Sequence, residues 1–552
     1  MPKLSSIIFF VLFFIFSWRF SIRRYNSNAG AVIAIILLLF DLIMSSISKM
    51  LPDHMLTFNA PSYIKILLLI FIIAVIYSVF KRTALGARLI SRESPHSDKL
   101  GSAQWASEEH AKQGGNLGNE GVSLGLFYSS PKVARHFRHK GHVLTVAPTR
   151  SGKGIGAIIP ALLEYPGSVL CLDIKGENYA VTARRRRELG QAVYLVDPFG
   201  LTGGQTARFN WLDMIDPASP DCVADSATLA DLVVVRSAEN ADPYWDDAAS
   251  NLLQGLILYA ATLPEDQRHM GTVREALTLP EIEFDGVLAS MSESKAGFGV
   301  IARAANTFMA KAEKDRSGVL SAALRHTAWL DDPRIALALS ASDFKLAELK
   351  AAPMTVYLVM PPDRLVPYRS FVRGFFGLAL TGITRTQIQP QHKVLFMLDE
   401  FAQLGHMALI ENAISLVSGY GAAFWLFVQD LSQLKGVYKK WQTFLANSAR
   451  QFFGTTDYDT AKYISDSLGK QTIVYSTVSE SRNIGYNAKG GSISTSQHIA
   501  ARDLMTPDEV MRLSPEWPIV FVQGQPPHQL ARLNYLFDPD YVGYFDKNPF
   551  YG

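Results

Sequence analysis

Two stretches of this chain combine residue types that can work on a phosphate. The first, Ala147-Pro148-Thr149-Arg150-Ser151-Gly152-Lys153-Gly154, follows the β-branched run Val143–Val146 and precedes an apolar segment that can open a helix. Strand, Gly/Ser-rich turn and helix in that order make a phosphate-binding loop. Backbone N–H groups across Thr149, Arg150, Ser151, Gly152, Lys153 and Gly154 face an anion, and Lys153 reaches the β/γ-phosphates. Against the pattern G-x-x-x-x-G-K-[ST], Ala147 replaces the first glycine and Gly154 replaces the hydroxyl expected on Mg2+. The second stretch, Lys393–Glu400, is a continuous apolar strand ending in Asp399 and Glu400. Beside a nucleotide, the first carboxylate holds Mg2+, usually through water, and the second polarises the attacking water. A strand that merely ends in solvated acids is the competing reading, and the lysine loop upstream argues against it. The two stretches together predict an NTP-hydrolysing site for ATP and Mg2+.

Such a site needs a sheet whose strand ends gather in one place. Buried-strand patterns occur at Ser168–Ile174, ending in Asp173-Ile174-Lys175-Gly176-Glu177-Asn178, and at Ala192–Val196, ending in Asp197-Pro198-Phe199-Gly200. They resume at Met354–Val359, 393–398, Ala422–Val428 (ending in Gln429-Asp430) and Ile519–Val522. Apolar strands that end in polar residues and alternate with helices predict a parallel α/β sheet. Between about 215 and 340 the strand pattern stops. Asp242-Pro243 looks like a helix start with Asp246 and Asp247 in the first turn, and Leu252, Leu253, Leu256, Ile257 and Ala260 follow at helical spacing. Residues 300–330 continue in this style. The expected organisation is a nucleotide-binding domain in two parts, 83–214 and 341–552, interrupted by an all-α insert at 215–340.

The first 82 residues are of another kind. Leu4–Trp18, Ala29–Ile47 (interrupted by Asp41) and Ile64–Phe80 (with Lys65 near its start) are apolar runs near the length of a membrane span, about 20 residues. They predict a transmembrane anchor of two or three helices. Arg19, Arg23 and Arg24 follow the first run, and Lys81, Arg82, Arg88 and Arg92 follow the third. The positive-inside rule then places 19–28 and everything after 81 in the cytoplasm, with a short outside loop near 48–62. The first run lacks a small-x-small cleavage site and leads straight into arginines, so it reads as an anchor rather than a signal peptide.

At 552 residues the chain has room for two or three domains. Two cysteines, Cys171 and Cys222, are too few for a disulfide framework. A net charge of +3 does not argue for a nucleic-acid coat. His136, His139 and His142 have a spacing that suggests a metal, but the run Ala134–Lys140 reads better as a solvated basic stretch before a strand.

With these residues in hand, the chain resembles the type IV secretion coupling proteins, the TraG type of membrane-anchored P-loop ATPase, from about residue 97 onward. The likeness rests on Ala147–Gly154, Asp173–Asn178, Leu398-Asp399-Glu400-Phe401, Gln429-Asp430-Leu431-Ser432-Gln433-Leu434, Gly454-Thr455-Thr456-Asp457 and Leu504–Val510. Gly154 looks normal for that family, so the hydroxyl on Mg2+ comes from elsewhere or from water. The resemblance implies a RecA-like P-loop NTPase core with an inserted all-α subdomain and N-terminal transmembrane helices. It implies a multi-pass protein of the bacterial inner membrane, with its ATPase domain in the cytoplasm, and a homo-hexameric ring. Its implied partners are the secretion channel's inner-membrane components and ATPases, together with relaxase-bound single-stranded DNA or effector-protein substrates. On this basis Lys153, Glu400 and Gln429 are the expected catalytic residues: phosphate neutralisation, water activation and γ-phosphate sensing. Asp399 is the expected metal ligand. A strand-end turn residue is the competing reading of Gln429. Arg450 could act on a neighbour's site or be a structural surface residue. The insert, placed away from the membrane, is expected to recognise cargo or an adaptor.

Two rivals follow from other readings of the same residues. A chromosome-segregation pump of the FtsK type carries a long linker and a winged-helix DNA reader, and neither is visible here. A non-catalytic recruiting scaffold would not need Lys153, Asp399 and Glu400 together.

Overall fold

The structure, a computed structural model, describes residues 98–130, 133–236, 244–482 and 491–550. The three apolar runs, the topology derived from their flanking charges and the Asp242-Pro243 helix start lie outside these residues. Among the described residues no helix is long and apolar enough to cross a membrane. The chain divides into Met1–Pro95 and His96–Gly552, and the second unit is described below.

Its strands in chain order are β1 (Val122–Ser130), β2 (Val133–His139), β3 (His142–Val146), β4 (Val169–Asp173), β5 (Ala192–Val196), β6 (Met354–Val359) and β7 (Val394–Leu398). There follow β8 (Ala422–Val428), β9 (Ser448–Phe452), β10 (Lys470–Arg482), β11 (Gly491–Asp503), β12 (Ile519–Phe521) and β13 (His528–Gln529). Nine of them form one sheet in the order β13-β12-β9-β3-β8-β7-β4-β6-β5. Every residue of β3, β4, β6, β7 and β8 is buried, the expected state of parallel strands covered on both faces.

The sheet is mixed rather than parallel throughout. From β5 to β9 the neighbours run parallel, but β12 lies antiparallel to β9 and β13 antiparallel to β12. A parallel addition needs a crossover to the far end of the sheet. After β9 the chain makes the helix Tyr458–Leu468 and the ribbon β10–β11, then re-enters from the end at which β9 left.

β9 itself, Ser-Ala-Arg-Gln-Phe, does not read as a core strand. Its buried Gln451 is satisfied by the Thr145 hydroxyl, which donates to Gln451 Oε1 at 2.8 Å, and by the Leu124 carbonyl, to which Gln451 Nε2 donates at 2.7 Å. The basic run at 134–140 is not a free stretch before a strand. It is strand β2, paired antiparallel with β1. Within it His136 bonds Ser123 at 2.9 Å and Asp540 at 3.1 Å.

Between β5 and β6 the described residues are helical, with long helices at Cys222–Val233, Tyr244–Ala261, Glu281–Glu293, Val300–Met309 and Glu313–Thr327. The five apolar residues at helical spacing, Leu252 to Ala260, are all buried. This block does not own a separate core. Trp211, Leu229, Leu253 and Val319 belong to the same apolar cluster as Leu144 and Leu398 of the sheet. At the C-terminus, Leu533, Tyr535 and Tyr541 cover Ile159, Leu163 and Val181, so the last residues strap the helix that follows the phosphate loop.

Candidate nucleotide-binding site

β3 delivers the phosphate loop. Ala147 N–H donates to the Val428 carbonyl at 2.9 Å, so the chain leaves the sheet only after Ala147. The turn is closed by Ser151 N–H to the Pro148 carbonyl at 3.1 Å, and Gly156 N–H to the Gly152 carbonyl at 2.8 Å opens the helix. Thr149 and Arg150 are exposed, Ser151 is buried, and Gly152, Lys153 and Gly154 are half-buried at the helix entrance. Arg150 has φ 64° and Glu400 has φ 54°. Left-handed backbone at a non-glycine residue costs about 1–3 kcal/mol and persists where the surroundings enforce it. Of the three such residues among those described, two lie in the two stretches singled out by sequence.

β7 is a central strand, with β8 between it and β3. That order sets the ends of three strands side by side: Lys153 after β3, Gln429 after β8, and Asp399 with Glu400 after β7. Their side chains meet. Lys153 Nζ lies 2.7 Å from Asp399 Oδ1 and 2.7 Å from Glu400 Oε1. Gln429 Nε2 donates to Glu400 Oε2 at 3.2 Å, and Gln403 Nε2 donates to the same oxygen at 3.3 Å. Gln403 carries no sequence signal of its own. Its reach comes from the short helical turn Phe401–Leu404 that follows the carboxylates.

Burial works against the ammonium of Lys153, but Asp399 and Glu400 together carry it above the usual lysine value. It is a fixed cation at neutral pH. Burial also pushes Asp399 above the usual carboxylate range, and the adjacent Glu400 charge adds to this while Lys153 opposes it. One ammonium thus faces two desolvated carboxylates. The carboxylates are hard oxygen ligands of the kind a divalent cation takes, and the ammonium is a group that a phosphate would take over.

The block Asp173–Asn178 is placed differently. Asp173 is buried at the end of β4, accepting N–H bonds from Lys175 at 3.2 Å and Tyr179 at 2.9 Å, and burial raises its carboxyl to about 7. Asn178 turns inward to Cys171 Sγ at 3.7 Å. These residues secure the start of the helix Glu177–Glu188. Arg450 sits inside the sheet on β9, donating to the Tyr463 hydroxyl at 2.7 Å with its guanidinium 4.8 Å from the centre of the Phe521 ring. Its side chain is engaged within its own chain. Arg532, which sequence reasoning missed, donates to the Ser151 carbonyl at 3.1 Å. A cavity of 540 Å³ bordered by Asn116, Arg138, Lys140 and Gln525 lies at the N-terminal end of β3, away from Lys153.

Comparisons with known proteins bear on the family and the fold. The conjugal transfer protein TraG of Escherichia coli is 29% identical over 477 residues, covering 77% of this chain and 73% of that protein. Protein VirD4 of Agrobacterium fabrum is 29% identical over 454 residues, covering 79% of this chain and 66% of its own length. Among solved structures, the plasmid coupling protein TrwB in complex with the ATP analogue ADPNP superposes with a TM-score of 0.58. It is 16% identical and covers 80% of this chain and 97% of that one. TrwB in complex with ADP and Mg2+ gives 0.54 at 18% identity, covering 71% and 84%. At those identities the likeness establishes the fold, an α/β P-loop NTPase fold with a mixed sheet and a helical part. The family model for type IV secretory system conjugative DNA transfer matches residues 98–548, nearly the whole described chain. The chain therefore belongs to the type IV secretory system conjugative DNA transfer family.

Proposed function

We propose that this protein is a coupling ATPase, which recruits substrate to a type IV secretion channel and uses ATP hydrolysis to power or license its transfer. The observation that carries the reading is the convergence of Lys153, Asp399, Glu400 and Gln429 at the ends of three adjacent strands. The donor set fits a magnesium nucleotide: a loop of backbone N–H groups, one cation for the phosphates and a hard oxygen ligand in Asp399. Bound Mg2+ would neutralise phosphate charge. Lys153 would leave its carboxylate partners for the β/γ-phosphates, and Thr149 to Gly154 would cradle them. Glu400, once free of Lys153, would take the proton of the attacking water, with Gln429 orienting that water or reading the γ-phosphate.

In this reading residues 1–82 anchor the chain in the bacterial inner membrane. Residues 83–214 and 341–552 form a RecA-like motor, and 215–340 an all-α insert. The motor works as a homo-hexamer beside the channel's inner-membrane components and ATPases, with relaxase-bound single-stranded DNA or effector proteins as cargo. The names of TraG and VirD4 support the role, and the ligands of TrwB support the nucleotide. The test is ATP turnover by the purified full-length chain, together with transfer by cells whose own copy is replaced. Transfer that survives loss of all turnover would favour a recruiting scaffold.

The insert is proposed to meet cargo. Because its helices share the core of the sheet, the suitable probe is an exposed side chain rather than a deletion. Ile282, 87% exposed, is such a site. Ile282→Glu should reduce transfer and leave turnover unchanged, and unchanged transfer of every cargo would move recognition elsewhere.

A further inference from the structure

Arg532 reaches the phosphate loop from the far end of the sequence. Its backbone is pinned on both sides: Ala531 and Leu126 exchange N–H bonds at 2.8 and 2.9 Å, and Arg532 N–H donates to the Glu516 carbonyl at 2.8 Å. Its side chain then lies along the loop. A methyl group on Gly156 would sit 2.5 Å from Arg532 Cγ, and one on Gly152 would fall 1.4 Å from Arg532 Nη1. A side chain at Gly152 would push the arginine's tip aside and meet φ +88° besides, and one at Gly156 would also meet the Leu533 carbonyl oxygen at 2.9 Å. At the tip, Nη1 donates to the Ser151 carbonyl at 3.1 Å and Nη2 is ion-paired with Glu516. Arg532 Nε and Ser151 Oγ are buried nearby without a hydrogen-bond partner, which leaves donor capacity unused at the contact.

A trans peptide points its C=O and the following N–H in opposite directions. A loop that cradles an anion must turn N–H groups towards it and carbonyls away. Tying back the Ser151 carbonyl directs the Gly152 N–H to the other side of the loop. We propose that Arg532, oriented by Glu516, is a positioning residue that locks the Ser151–Gly152 peptide in the phosphate-binding orientation. This role couples nucleotide affinity to the docking of the C-terminal strap that carries Arg532. The inference rests on the nucleotide-site reading above.

The test uses the full-length chain and a fluorescent ATP analogue, with steady-state ATP hydrolysis alongside. Arg532→Met keeps the stem over the glycines and removes the guanidinium. Loss of a charged hydrogen bond at the loop should weaken analogue binding and raise KM about tenfold, with kcat falling much less. Arg532→Lys should recover part of the affinity. Glu516→Gln should shift KM in the same direction by a smaller factor. A merely structural role would lower kcat in proportion to the folded fraction and leave KM alone, and that result would overturn the proposal. If the Met variant does not fold, the Lys and Gln variants carry the same comparison. Wild-type binding that is lost in Lys153→Ala keeps the nucleotide site secure, so unchanged affinity in Arg532→Met would then sink the clamp alone. No binding by folded wild-type protein would sink both.

Discussion

The strand-end site and the helical block between β5 and β6 use the same charged residues in opposite ways. In the helical block most ion pairs lie at the surface, such as Arg316–Asp285 and Arg236–Asp247. One of the block's buried carboxylates, Asp246, is matched by His326 Nε2 at 2.9 Å and by Arg325 Nη2 at 2.7 Å. That is a closed arrangement, one acid among several donors. At the strand ends a single ammonium faces Asp399 and Glu400, all three largely withdrawn from water. Closed clusters hold a fold together, whereas an under-compensated one is poised to exchange partners with a ligand. Burial alone does not separate the two; the balance of charge does.

The largest effect should come from breaking the open cluster. Lys153→Ala or Glu400→Gln is expected to lower ATP turnover by about a thousandfold or more, because in the proposed mechanism each supplies charge stabilisation or water activation in the transition state. Circular dichroism should show the fold intact, and wild-type turnover in Glu400→Gln would remove Glu400 from the base role. Breaking the closed cluster should do the reverse. Asp246→Ala removes the acceptor that His326 and the exposed Arg325 now share and should cost about 1–2 kcal/mol in urea unfolding. Turnover per folded molecule should stay unchanged. Loss of turnover at full stability would mean that the helical block takes part in the chemistry.

A smaller and graded effect concerns pH. Burial lowers His139, His142 and His528 from their ordinary value to about 4. A histidine whose folded value is depressed is neutral in the native state and takes a proton on unfolding, so the unfolded chain binds more protons below pH 6.5. Stability from these groups is therefore complete above about pH 6.5 and is lost as pH falls towards 4, by about 1–3 kcal/mol per residue. Thermal midpoints from pH 7 to pH 4.5 should fall less steeply in His142→Asn, which can keep an acceptor for the Phe424 N–H that His142 Nδ1 now serves at 2.9 Å. An identical slope would show that His142 is not protonated on unfolding. The smallest effect belongs to the surface pairs. Arg316→Ala should change stability by less than about 0.5 kcal/mol, and a larger loss would show that the block's exterior is not ordinary solvated surface.

Much of the sheet is legible in sequence because its central strands are buried on both faces and so appear as unbroken apolar runs. β3, β4, β6, β7 and β8 are of this kind. β9 escapes that reading because its Arg450 and Gln451 are made acceptable only by partners outside the strand, Tyr463 on the following helix and the distant Thr145 and Leu124. β1 and β2 escape it because their ribbon carries Arg135, His136, Arg138 and His139 on a partly solvated strand. The ribbon β10–β11 is hidden by its Ser- and Thr-rich composition, with Val474, Tyr475 and Val478 left exposed.

The sequence alone determined the candidate groups: a lysine in a Gly/Ser-rich turn after one strand and paired acids after another, since local residue types and spacing suffice to mark a phosphate loop. Tertiary structure decided which strand ends become neighbours. The order β3-β8-β7 sets Gln429 between Lys153 and Glu400, and the antiparallel return through β12 brings Arg532 onto Ser151. Strand order and strand direction are properties of the assembled sheet. They depend on which buried faces pair and from which end the chain returns, and no local pattern of residues records either.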